Sequence, residues 1–284
     1  MNSVYFESKR DSDDLFYIEK KVNDCYHAHF HSNIEVLYVL EGEIDVTVND
    51  HCRTLKAGAM AISNSFDVHS YNTKKVSKTI FMVIPAETVP IYQKIIDNRH
   101  FETPFLVRGD HSKELENAVF YLLNYVGSDS LSLLGHIYVI LGIALKKLTL
   151  CENDTEMSGG LIRSILLYLD KNYQKNIKLG KLSELFGYNR SYLSRVFNAY
   201  IGVGFNEYIN RLRVRHSARL IQTTDMNMTQ ISEESGFSCV RSFNRTFMEQ
   251  YGITPMKYKK HKTKPTESGS EIDKLFGVYS YTLE

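Results

Sequence analysis

The stretch GYNRSYLSRVF, residues 187–197, has a near copy in GFSCVRSFNRTF, residues 236–247, and this pair decides how the C-terminal part of the chain is read. Just upstream, LSELFGY at 182–188 aligns with ISEESGF at 231–237. One inserted residue later Leu193 matches Phe243, Arg195 matches Arg245, Phe197 matches Phe247 and Gly202 matches Gly252. The correspondence continues through G-x-x-F-x-x-Y (Gly202, Phe205, Tyr208) and G-x-x-P-x-x-Y (Gly252, Pro255, Tyr258). Self-similarity at a fixed offset is an internal repeat.

Each copy has the physics of a helix-turn-helix. A short helix from Leu179 to Phe186 stops at Gly187, which can take the left-handed conformation of a sharp turn. The helix that follows buries Leu193, Val196 and Phe197 and presents Asn189, Arg190, Ser191, Ser194 and Arg195 on its other side. In the second copy Gly236 makes the turn and Phe243 and Phe247 anchor the helix. Cys239, Val240, Arg241, Ser242, Asn244 and Arg245 then lie at or near its outer face. Arg and Asn make bidentate contacts to guanine and adenine edges in the major groove, while other exposed polar groups at such a surface touch only phosphate or water. A single glycine-turned helix pair is more often plain packing; two copies with matched anchors favour a DNA reader. Between them Phe205, Tyr208, Ile209, Leu212 and Leu220 outline one long helix ending near Thr223. Its Arg211, Arg213, Arg215 and Arg219 form either a solvated face or phosphate contacts. Such a connector would set the two recognition helices in successive major grooves, about 34 Å apart.

Charge is split along the chain. The sequence is 284 residues long with a net charge of +1. Residues 159–262 hold 17 Lys/Arg against 7 Asp/Glu, whereas residues 1–158 hold 15 against 22. A basic module for a polyanion is therefore joined to an acidic module with another task. The four cysteines (Cys25, Cys52, Cys151, Cys239) are scattered without a C-x-x-C pair, and MNSVYFESKRDSDDLF has no secretory pattern, so a reducing cytoplasm is expected. The most apolar run, Leu131–Leu145, is shorter than the ~20 residues of a membrane span and reads as a buried helix; no membrane partner is expected.

The first ninety residues read as strands. NIEVLYVL and EIDVTV, joined by Glu41-Gly42, are followed by CRTL, AMAIS and KTIFMVIP, the pattern of a small sandwich or barrel. From Glu87 to Leu150 the period turns helical, with Leu115, Val119, Leu122, Leu123 and Val126 in one stripe and Leu133, Leu134, Ile137, Ile140, Leu141 and Leu145 in another, separated by Gly127-Ser128-Asp129. The polar segment CENDTEMSGG, 151–160, reads as a linker, and residues 263–284 as a flexible tail.

HAHFHSNIE places His27, His29 and His31 on one face of a strand, with Glu35 following and His69 further on. Three readings stay open for His29, His31, Glu35 and His69. They are hydrogen-bonding groups for a small polar ligand, ligands to zinc, manganese or iron, or locally packed side chains. The first is the working reading, with no resident metal or other cofactor.

The segment Leu179–Lys259, carried by LSELFGYNRSYLSRVFNAYIGVGFNEYINRLRVRHSARLI and ISEESGFSCVRSFNRTFMEQYGITPMKY, resembles the DNA-binding domain of the AraC family of bacterial transcription regulators. Ser232 and Ser235 depart from the family's small apolar residues, and Arg241-Ser242 replaces its usual Ser-Tyr pair. His29-x-His31-x3-Glu35, then Gly42, Gly58 and His69, resembles the two metal motifs of the cupin barrel, which regulators of this family commonly carry as a sensor; Asn64 stands where cupins often have proline. The resemblance implies an α+β chain of five parts: a cupin-like β-barrel at 1–90, a helical dimerisation segment at 91–150, the linker at 151–160, an all-α DNA-binding domain with two helix-turn-helix units at 161–262, and the tail at 263–284. It also implies a sequence-specific regulator and not an enzyme, of the activator type. Its partners would be double-stranded DNA, a small-molecule effector of the sugar kind, a second copy in a homodimer and RNA polymerase. The rival reading is a metal-dependent cupin enzyme with a DNA-binding appendage.

Overall fold

A computed structural model describes residues 4–7, 16–97, 99–109, 112–125, 130–152 and 160–262. The chain divides between Gly160 and Leu161 into two compact units.

The N-terminal unit is organised by one long strand. Its strands are β1 (Tyr5–Phe6), β2 (Tyr17–Val22), β3 (Cys25–Phe30), β4 (Ile34–Val48), β5 (His51–Lys56), β6 (Met60–Ser63), β7 (His69–Asn72), β8 (Ser77–Ile84), β9 (Arg99–Phe101), β10 (Phe105–Leu106) and β11 (Leu150–Glu152). The first half of β4 pairs with β6 and β8, the second half with β5 and β7. β4 therefore belongs to two layers, β1-β3-β7-β4-β5 and β2-β8-β4-β6-β10. The turn expected at Glu41-Gly42 is instead a bend within this strand. The register shifts between Val39 and Glu41, and Gly42 sits at φ 74°, where an added Cβ would lie 2.0 Å from the Val76 carbonyl oxygen. Strands that change layer do so at such bulges and bends.

Burial along β4 follows from this. Ile44, Val46 and Val48 alternate with partly exposed residues, as in a half-solvated sheet, whereas Ile34–Val39 are buried without a break. Leu37, Val39, Ile44, Val46, Val48, Leu55, Tyr71 and Phe81 share one apolar cluster. The expected closed barrel is corrected to open sheets. Closure needs the outermost strands to pair with each other, and among the described residues β1 pairs with β3 alone and β10 with β6 alone.

After β8 come a 3-10 turn (Ala86–Thr88) and three helices, α1 (Pro90–Ile96), α2 (Ser112–Leu123) and α3 (Ser130–Lys147). Leu115, Leu122, Leu133, Ile137 and Leu141 are all at most 1% exposed, so they belong to the unit's own core and leave nothing of their side chains for a second copy. Among the described residues α3 alone has the length and apolar composition of a membrane span, and eight of its side chains are buried inside the unit. Residues 126–129, which include Val126 and the Gly127–Asp129 separator, lie outside the described residues. So do 153–159 of the linker and 263–284 of the tail. Cys151 and Glu152, at the head of the linker segment, form β11 with Leu150 and pair with β9.

The C-terminal unit is helical: α4 (Gly160–Asn172), α5 (Leu179–Phe186), α6 (Arg190–Ile201), α7 (Phe205–Thr223), α8 (Met228–Glu234), α9 (Val240–Tyr251) and α10 (Pro255–Lys262). The two helix-turn-helix copies are α5–α6 and α8–α9, with α7 between them. Gly187 (φ 72°) and Gly236 (φ 82°) both take the left-handed conformation. Asn189 caps α6 by accepting from the Tyr192 amide, and Asn227 with Gln230 closes a reciprocal cap on α8. Val214, Ala218, Ile221, Ile231, Phe237, Phe243 and Phe247 form the core of the second copy.

Candidate sensor site and DNA interface

Four ionisable side chains meet inside the N-terminal unit. His29 lies next to the end of β3, His31 directly follows the strand, Glu35 lies on β4 and His69 opens β7. Pairing of β3 with β7 sets His29 directly across from His69. All four are 1% exposed, and one donor atom from each lies within 4.8 Å of the others. His31 Nε2 is 3.2 Å from Glu35 Oε2, His69 Nε2 is 3.6 Å from Glu35 Oε1, and the Tyr71 hydroxyl donates to Glu35 Oε1 at 2.6 Å.

Two hydrogen bonds orient the rings. His29 Nδ1 lies 2.8 Å from the His27 carbonyl and His69 Nδ1 lies 2.8 Å from the Asp67 carbonyl. A carbonyl only accepts, so each Nδ1 carries a proton and each Nε2 is turned inward. Neither of these Nε2 atoms makes a hydrogen bond, although both are buried. Burial, with the charge of His69, pushes His29 down to about 3, which keeps its ring neutral. His69 is raised, because the Glu35 carboxylate outweighs the effect of burial. Burial alone would raise Glu35, but His69 and His31 hold it well below the usual carboxylate range. An anion facing imidazole nitrogens, with the His29 and His69 rings held from behind by carbonyls, is the donor set and support that divalent cations take.

His27, expected on the same face, is exposed and contributes only its carbonyl. Three other contributors escaped the sequence reading. Glu7 Oε2 lies 3.4 Å from His29 Nε2 and the Tyr5 ring stacks on His29. Tyr71, two residues after His69, reaches Glu35. Behind the site, Asp67 accepts from the Asn64 amide, and Asn64 accepts from the Tyr92 hydroxyl on α1. Alternation along β7 is a usable signal for Tyr71; nothing in the local sequence marks Glu7.

In the C-terminal unit Arg190, Ser191 and Arg195 are exposed on α6, as are Arg241, Asn244 and Arg245 on α9. Ser194, Val240 and Ser242 are half-buried, and Cys239 is the exposed N-cap of α9. Asn189 is exposed but its side-chain oxygen is used by the cap. Arg245 is 3.9 Å from Glu249 one turn on, and exposed pairs of this kind hold a side chain weakly. The connector arginines are engaged within the unit. Arg213 donates to the Tyr173 and Lys175 carbonyls, Arg211 pairs with Glu207, and Arg215 lies 3.6 Å from Asp170. Tyr188 and Tyr192, stacked with centroids 5.3 Å apart, add an exposed aromatic pair at the entry to α6.

Residues 182–261 match the helix-turn-helix domain family, and residues 16–85 match the cupin domain family. The chain thus carries an AraC-type helix-turn-helix domain together with a cupin domain. The chain is 21% identical over 243 residues to an uncharacterized HTH-type transcriptional regulator of Staphylococcus aureus strain COL, covering 84% of this chain and 33% of that protein. It thus spans about one third of the length of these staphylococcal relatives. With the Msm operon regulatory protein of Streptococcus mutans it shares 19% identity over 235 residues, which is 80% of this chain and 84% of that one. Among solved structures, ToxT from Vibrio cholerae O395 aligns over 89% of this chain and 100% of its own length, at 15% identity and a TM-score of 0.39.

Proposed function

We propose that this protein is a DNA-binding transcription regulator whose cupin unit is its sensor. The observation that carries the DNA half is the repeated reader: two helices, α6 and α9, anchored by Leu193 with Phe197 and by Phe243 with Phe247, hold Arg190, Arg195, Arg241 and Arg245 exposed on a strongly basic unit. Double-stranded DNA is the partner this chemistry fits. Two readers on one chain cover a longer site than one. The named relatives, transcriptional regulators, support a regulator over a cupin enzyme carrying a DNA-binding appendage. Activation through RNA polymerase, a homodimer assembled through residues 91–150, a location in the cytoplasm and a sugar-like effector complete this reading.

For the sensor half, a specific observation favours a cation at the tetrad. The donor atoms of His29, His31, Glu35 and His69 lie within 4.8 Å of one another, and the inward Nε2 atoms of His29 and His69 make no hydrogen bond. These four residues would hold a divalent ion. When bound, the ion would supply an electrophilic centre able to accept an oxygen donor, a sugar hydroxyl included. The chain's own residues fix its place: the His27 and Asp67 carbonyls set two ring orientations, and Tyr71 holds Glu35.

The test is selection from a random duplex library by the full-length protein, followed by affinity measurements with sugars, sugar acids and divalent ions added singly. Enrichment of one sequence, with an affinity that changes in the presence of one additive, is the expected result. No enrichment would overturn the DNA reading, and enrichment with an affinity indifferent to every additive would overturn the sensor reading.

A further inference from the structure

The short strand β1 brings a second carboxylate to the tetrad. β1 pairs in parallel with β3, setting Tyr5 beside His29 and Phe6 beside Phe30, and the Glu7 amide donates to the Phe30 carbonyl at 3.0 Å. The backbone is thus fixed up to and including the Glu7 amide. Tyr5 stacks on His29 with ring centroids 5.7 Å apart, and Phe6 packs on Phe30 at 5.5 Å. The result places Glu7 Oε2 3.4 Å from His29 Nε2.

Those two atoms are a mismatched pair. His29 carries its proton on Nδ1, where the His27 carbonyl takes it, so Nε2 faces the Glu7 oxygen as one lone pair facing another. His29 is buried and its Nε2 makes no hydrogen bond. A lone pair and a carboxylate oxygen kept this close are reconciled by a cation that both can coordinate. Across the site His69 Nε2 lies 3.6 Å from Glu35 Oε1, so each carboxylate has one imidazole nitrogen close by.

We infer that Glu7 is a fifth ligand of a divalent metal held by His29, His31, Glu35 and His69, so that metal uptake and docking of β1 are one event. The inference rests on the metal reading of the tetrad. Three imidazoles with two carboxylates form a mixed nitrogen and oxygen set whose two negative charges balance a dication. Five donors suit ions that take more than four ligands, such as manganese, iron, cobalt or nickel, over a four-coordinate structural zinc.

Co2+ is the probe, because its visible absorption reports the number and type of ligands without any assay of function. The full-length protein is stripped with a chelator and titrated with Co2+, followed by absorption and by calorimetry, for the wild type, Glu7→Gln, Glu7→Asp and Glu35→Gln. The expected result is a single site in the wild type, at least a ~10-fold loss of affinity with an altered spectrum in Glu7→Gln, partial recovery in Glu7→Asp, and a larger loss in Glu35→Gln. Wild-type affinity and spectrum in Glu7→Gln would overturn the role of Glu7 while leaving the tetrad's metal intact. No Co2+ uptake by the wild type would overturn the metal reading itself, and this inference with it.

Discussion

The two helix-turn-helix copies share a pattern but not an environment. At the first turn Gly187 faces open space, and an added Cβ would meet nothing within 4 Å; at the second turn a Cβ on Gly236 would lie 2.4 Å from the Gln174 carbonyl oxygen. The first short helix uses Ser183, whose hydroxyl donates to the Tyr188 carbonyl, whereas Ser232 and Ser235 of the second are fully buried with hydroxyls that make no hydrogen bond. Arg213, from the connector α7, donates to the Tyr173 and Lys175 carbonyls and lies 6.0 Å from the centre of the Phe237 ring. The repeat therefore places the same reader twice, once at a permissive surface turn and once wedged against the loop after α4. Equal sequence does not mean equal tolerance, and substitution at matched positions measures the difference.

The largest expected effect is at the wedged turn. Gly236→Ala combines a left-handed conformation with a backbone clash and should cost about 3–5 kcal/mol, whereas Gly187→Ala should cost only about 1–2 kcal/mol. Thermal unfolding of the two variants side by side measures the gap; equal losses would remove the distinction between the turns. Arg213→Ala leaves two carbonyls without their charged donor and should cost roughly 2–3 kcal/mol, read by denaturant unfolding. On DNA, Arg195→Ala and Arg241→Ala should each weaken binding by about 1–3 kcal/mol and relax base preference where the contact is to a base. Where it is to phosphate, the loss should be uniform across sequences and the salt slope should drop by about one. Anisotropy titrations on matched and mismatched duplexes separate the two outcomes.

Smaller effects sharpen the contrast. Ser232→Ala removes a buried hydroxyl without a partner and should stabilise the second copy by about 1 kcal/mol, visible as a rise in melting temperature. Cys239 occupies the N-cap position of α9, and hydrogen bonding from Ser242 holds its thiol below the ordinary range. A lowered thiol pKa means more thiolate at a given pH below the ordinary value. Cys239 should therefore alkylate faster than Cys25 or Cys52 near neutral pH, an ordering that peptide mapping after brief iodoacetamide treatment checks.

Legibility in the sequence followed the range of the interaction. The helix-turn-helix copies were readable because each is set by contacts within a few turns: Gly187 and Gly236 at the turns, and aromatic or aliphatic anchors at helical spacing. His29, His31 and Glu35 were readable because a short motif carries them, and His69 because the cupin pattern repeats. Glu7 was not readable, since its proximity to His29 depends on a two-residue parallel pairing between β1 and β3. Glu41-Gly42 read as a turn between strands because glycine permits both a turn and a bend. The clash that an added Cβ would make with Val76, and the shared register with β8, exist only in the folded sheets. Strand spacing left sandwich and barrel open and the cupin resemblance implied the barrel; neither says whether the outermost strands pair. The connector arginines, open between water and phosphate in the sequence, have protein partners at Arg211, Arg213 and Arg215.

The most direct test of the central claim, that α6 and α9 are both DNA readers, is the affinity of the full-length protein for its selected duplex between about 50 and 200 mM salt, for the wild type, Arg195→Ala and Arg241→Ala. With about 6–10 phosphates neutralised by two docked readers, wild-type affinity should fall by roughly 10³–10⁵ over that range, and each single variant should weaken binding at every salt concentration. A shallow slope, or a variant of either helix that binds like the wild type, would contradict the two-reader account.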